Sequence, residues 1–146
     1  MSESSILGLA ELNKKLAKLG PELEKKALRA ATSRAGTIML NFIRANAPVG
    51  KHSVNKTTYK GNVKYPGFLK RHIAKRSQFK DGIASVIIGV KKEAFYGVQF
   101  LEKGTGRSGP IFEGWFSESF LRSEDKAIEA FKKKCNEVIE KIRLSK

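Results

Sequence analysis

Apolar residues recur at helical spacing near the start of the chain, with Leu9, Leu12, Leu16 and Leu19 at i, i+3, i+7 and i+10. Gly20-Pro21 closes that segment, because glycine suits a helix C-terminus and proline the first position of the next helix. A longer helix is predicted from about Pro21 to Asn46. Leu28, Ala31, Ala35, Ile38, Met39 and Phe42 make its buried stripe, with Glu24, Lys25, Arg29 and Arg44 outside it. Ala30, Ala31 and Ala35 are small enough to let another element come close. Pro48 ends the helix by disfavouring helical geometry at Ala47. Residues 50–66 carry Gly, Asn, Thr and Lys with no apolar repeat, and read as a long basic loop, mobile in the isolated protein and inserted between helix and sheet.

Beyond this loop the period changes to two. Asp81-Gly82 stands between Arg71–Phe79 and Ile83–Val90, a hairpin signal. Ala84, Val86, Ile88 and Val90 share one strand face, which is predicted to lie on the long helix. Ala94 to Glu102, with Phe95, Tyr96, Val98 and Phe100, reads as a third strand. A glycine-rich turn, 104–110, precedes the aromatic patch Phe112, Trp115, Phe116 and Phe120. The last helix is predicted from Asp125 to about Leu144 on the stripe Ile128, Phe131, Cys135, Val138, Ile139 and Ile142, with Ser119 or Ser123 as its cap. The expectation is a single α+β domain over 1–146: two N-terminal helices, one of them long, an antiparallel β-meander of three to four strands, and an amphipathic C-terminal helix.

Charge alters this picture. The 146 residues carry a net +15. Nine basic residues, Lys51, Lys56, Lys60, Lys64, Lys70, Arg71, Lys75, Arg76 and Lys80, fall in one window without a single Asp or Glu. Such a field attracts a polyanion, either nucleic acid or the acidic face of a protein; the alternative is a solvated loop that keeps the chain soluble. A single cysteine, Cys135, points to a reducing compartment. No basic patch followed by a long apolar run opens the chain, and Ile83–Val90 is too short to span a bilayer, so folding in a cytosol without a membrane partner is expected.

Candidate chemistry is sparse. Cys135 lies on the apolar stripe of a helix, where a structural thiol is the plain reading. His52 and His72 stand in Lys- and Arg-rich sequence with no second ligand at metal spacing. The 104–110 turn lacks the Lys-Ser or Lys-Thr ending of a phosphate loop. Glu93, Glu102, Glu113 and Glu118 are scattered, so neither acid–base catalysis nor a metal-dependent nuclease is suggested. No catalytic, cofactor-binding or metal residue is assigned, and a non-enzymatic protein is expected.

The order of several short motifs carries more. Ala47-Pro48-Val49 closes a long helix, and Gly67-Phe68-Leu69-Lys70-Arg71-His72-Ile73 opens the sheet. Val86-Ile87-Ile88-Gly89-Val90 is followed by Phe95-Tyr96-Gly97-Val98-Gln99-Phe100-Leu101-Glu102-Lys103-Gly104-Thr105, and Phe120-Leu121-Arg122 leads into the last helix. From about Leu9 to Lys141 this order resembles the tail-completion, or neck, proteins of long-tailed bacteriophages and prophages. It departs from them in the sixteen or so residues Gly50–Tyr65, where that family has one or two, in Pro66, in Gln99, and in Ser119 before Phe-Leu-Arg. The resemblance implies a structural virion protein at the tail end or head–tail junction, assembled in the bacterial host cytoplasm. It implies a homo-oligomer, such as a six-membered ring, that also contacts other neck or tail proteins.

Two surfaces are candidates for such contacts. One is the basic window, facing an acidic neighbour or touching DNA non-specifically. The other comprises Arg107, Phe112, Trp115 and Phe116, in which Trp115 suits either an interface or a core. A small basic nucleic-acid-binding module is the alternative reading. The leucine stripe of the first helix fits either a core or a subunit contact.

Overall fold

The computed structural model describes residues 3–49, 56–57, 63–64, 67–104, 109 and 112–145, and only the backbone of 3–7, 56–57, 63–64 and 96. Its elements are α1 (Glu3–Ala17), α2 (Pro21–Asn46), β1 (Lys56–Thr57), β2 (Val63–Lys64), α3 (Phe68–His72), β3 (Ile73–Lys80), β4 (Ile83–Val90), α4 (Lys92–Lys103) and α5 (Trp115–Leu144). They fall into two compact units. One gathers α1, α2 as far as Met39, Lys75–Ile87 of the hairpin, and α5 from Arg122; the other gathers Leu40–Ala74 and Ile88–Leu121.

In the first unit, Leu12 and Leu16 of α1 join Ala27 and Ala31 of α2 and Cys135 and Ile139 of α5 in one buried cluster, edged by Leu19, Leu28, Phe131 and Val138. The leucine stripe of α1 is thus core. Ala27 and Ala31 are fully buried, and their lack of bulk is what lets side chains from two other helices reach the α2 backbone. Gly20 takes a left-handed conformation between α1 and α2, open to glycine at little steric cost.

The hairpin turns at Asp81 and Gly82, both with positive φ, as a two-residue turn of right-handed strand twist requires. Val86 of β4 meets α2 at Gly36. A β-carbon built there would stand 2.5 Å from one Val86 methyl, 3.0 Å from the other and 3.1 Å from the Val86 Cβ. All three side-chain atoms crowd the same point, so rotating the valine cannot make room. Beside this contact, Lys75 of β3 donates from Nζ to the Ser33 carbonyl (2.7 Å), the Ser33 hydroxyl (3.0 Å) and Thr37 Oγ1 (2.6 Å). Burial among these groups lowers the Lys75 pKa.

In the second unit, Leu40, Ile43 and Ala47 of α2, Ile73, Val98 and Trp115 form a second buried cluster, edged by Leu69, Ile88, Val90, Leu101 and Phe116. Arg44 donates from Nε (3.1 Å) and Nη2 (2.6 Å) to the Ile73 carbonyl. The Lys91 N–H donates to the His72 carbonyl at 2.8 Å, closing the base of the hairpin.

Four expectations change. Ala94–Glu102 is helix, not a third strand, and lies within α4. The segment satisfies both periods: Tyr96, Val98 and Phe100 alternate as in a strand, while Ala94, Val98 and Leu101 fall on one helical face, and Ala94 and Val98 are the buried ones. Consequently the described strands form two separate two-stranded sheets, β1–β2 and β3–β4, instead of a meander of three to four. Gly67-Phe68 opens the short helix α3 before β3, stabilised by the stacked rings of Phe68 and His72. Finally, α5 begins at Trp115, ten residues before Asp125, which puts Ser119 and Ser123 inside the helix as buried residues and not at its cap.

Gly36→Ala tests the close approach. Alanine is favoured over glycine in a helix by about 0.5–1 kcal/mol, whereas overpacking of this kind costs about 1–3 kcal/mol. Net destabilisation in denaturant unfolding is expected, relieved in Gly36→Ala/Val86→Ala. Gly89→Ala, whose added carbon meets nothing within 4 Å, is the control and leaves the midpoint nearly unchanged.

Candidate functional site

The basic window divides according to where the backbone carries it. Lys51 and Lys60 lie outside the described residues, as does Arg107 of the second candidate surface. Lys56 and Lys64 stand opposite each other in the antiparallel β1–β2 ladder. Lys75 turns inward and spends its three donors on α2. Arg76 and Lys80 are exposed on β3 in the first unit, and Lys70 and Arg71 are exposed on α3 in the second.

Lys70 and Arg71 meet a third cation that their sequence position does not suggest. Together with Arg44 and Gly67 they line a cleft of about 400 Å³ within the second unit. Arg44 was expected to point away from the core stripe of α2. Its guanidinium is half-buried and held by the Ile73 carbonyl, so its plane is fixed before anything binds. Gly67 sits at φ 78° with open space where a β-carbon would be. The sequence signal for Arg44 was faint: a cation in the last turn of a helix, where it also suits the dipole.

The aromatic segment is split between core and surface. Trp115 is 8% exposed and belongs to the second core cluster, edge-on to Phe116 at 5.5 Å. Its indole N–H is buried without an acceptor among the described residues. Phe112 remains 46% exposed. In the same unit, Phe95 and Phe100 of α4 and Phe120 and Leu121 in the first turns of α5 are also substantially exposed. Glu102 joins these two helices: its Oε1 accepts from the N–H of Phe116 at 3.0 Å and of Ser117 at 3.4 Å, capping the positive end of α5 from another element. The Phe112 N–H donates to the Leu101 carbonyl at 2.9 Å and ties the preceding turn to α4.

Among the described residues no group of three or more His, Cys, Asp and Glu side chains is placed to hold a metal, and no helix is long and apolar enough to cross a membrane. Cys135 is fully buried in the first core, and burial raises its thiol pKa, which disfavours the reactive thiolate.

Residues 10–104, more than half of the chain, match the family described as "Bacteriophage HK97-gp10, putative tail-component". The chain belongs to this HK97-gp10-like family of bacteriophage tail components. The match runs from α1 through α4, leaving α5 outside it. Comparison with curated proteins and with solved structures gives no significant match.

Loss of the Glu102 cap should be measurable. Glu102→Ala is expected to destabilise by about 1 kcal/mol, the usual worth of a helix cap. Glu102→Gln, which keeps an accepting oxygen, should cost less. Equal losses for the two in thermal or denaturant unfolding would show that the carboxylate is not acting as the cap.

Proposed function

We propose that this chain is a structural protein of a tailed bacteriophage or prophage that completes the tail or joins it to the head. It acts by assembling, without turnover, into a ring-like homo-oligomer that other neck or tail proteins contact in the virion, after assembly in the host cytoplasm. Membership of a tail-component family is the observation that carries this reading. The exposed surface supports it. Phe95, Phe100, Phe112, Phe120 and Leu121 all lie on one unit, and large exposed apolar side chains gathered on one unit suit a contact surface. A lone monomer has little use for five large apolar side chains in water.

Light scattering behind size exclusion tests the oligomer directly. The mass is expected to rise with concentration from the 16.2 kDa of one chain toward a closed ring of about six copies. Phe100→Ser with Leu121→Ser should weaken this rise while leaving the unfolding midpoint nearly intact, since both side chains are exposed. A mass of one chain at every concentration and salt would count against self-assembly.

A further inference from the structure

We propose that the cleft of Arg44, Gly67, Lys70 and Arg71 binds the phosphate backbone of duplex DNA. Three cations from two elements, α2 and α3, face one concavity of about 400 Å³ with no carboxylate among the described residues of its lining. Among the described residues neither Arg44 nor Lys70 pairs with a carboxylate: Arg44 spends two donors on the Ile73 carbonyl and keeps the rest of its fork for a ligand. Because that carbonyl already fixes the guanidinium plane, little side-chain freedom is lost on binding. At Gly67 the missing side chain leaves the backbone approachable.

The choice of phosphate over the carboxylates of an acidic protein rests on what the cleft lacks. Protein interfaces are anchored by aromatic and apolar side chains in their desolvated centre. Among the described residues the lining of this cleft has none, and the exposed aromatic residues belong to α4, α5 and the turn before it. A phosphate backbone needs only charge and donors. The sequence suits a uniformly charged polymer as well: residues 40–74 hold seven Lys and Arg and no Asp or Glu, whereas 88–121 hold four of each sign. This assignment stands apart from the assembly reading, so either can fail without the other.

The test is fluorescence anisotropy with a labelled duplex of random sequence, comparing the full chain with Lys70→Glu/Arg71→Glu and with a charge-matched control, Lys14→Glu/Lys18→Glu, exposed in the first unit. Circular dichroism shows that each variant is folded, and light scattering shows that each keeps the wild-type mass. The α3 pair should lose about tenfold or more in affinity, and the slope of log K against log salt should fall by about 2, the value for two lost phosphate contacts. The control should lose much less. Absence of duplex binding at low salt, equal losses in the two double variants, or displacement of the duplex by polyglutamate at equal charge would each overturn the proposal.

Discussion

The absence of a side chain at Gly36 is what allows β4 to lie directly on α2. A two-stranded hairpin has little stability in water without a surface to cover one of its faces, and this one covers its Val86 face with the α2 backbone itself. At that separation Lys75, on the neighbouring strand, reaches a carbonyl and two hydroxyls on successive turns of α2 and meets the full donor capacity of its ammonium. A half-buried cation satisfied in this way is tolerated with its pKa lowered. Steric closeness comes first, and the polar contacts follow from it.

The second unit is organised by backbone groups at element ends. The Ile73 carbonyl orients Arg44, the His72 carbonyl takes the Lys91 N–H, and the first N–H groups of α5 find Glu102 on α4. Each contact satisfies a group that a helix or strand end would otherwise leave to water. Fixing Arg44 by a carbonyl keeps a guanidinium without a carboxylate partner among the described residues at the wall of a cleft, while Phe95 and Phe100 of α4 and Leu121 of α5 stay exposed.

Much of this was legible in the chain. The leucine spacing of α1, the Gly20-Pro21 punctuation, the hairpin at Asp81-Gly82 and the packing of Val86 on the long helix all follow from local chemistry that tertiary context did not override. The predicted stripe of α2 holds at Ala31, which is fully buried, but elsewhere lies beside the buried face: Ala27, Gly36, Leu40 and Ile43 are buried, while Leu28, Ala35, Ile38, Met39 and Phe42 are only half-buried. A helix covered on more than one side blurs the single stripe on which periodicity depends. The α4 segment was misread because its aromatic content favours strands while its burial has the period of a helix. The early start of α5 and the pairing of Arg44 with the α3 cations could not be read at all, since each depends on a partner distant in sequence.

The central claim is that the chain is a working part of a phage tail, and its loss from a growing phage tests that most directly. Particles made without it, viewed by electron microscopy, should show DNA-filled heads and tails that are unfinished or unjoined, with infectivity restored when the protein is supplied. Complete, infectious particles in normal numbers without this chain would contradict the account.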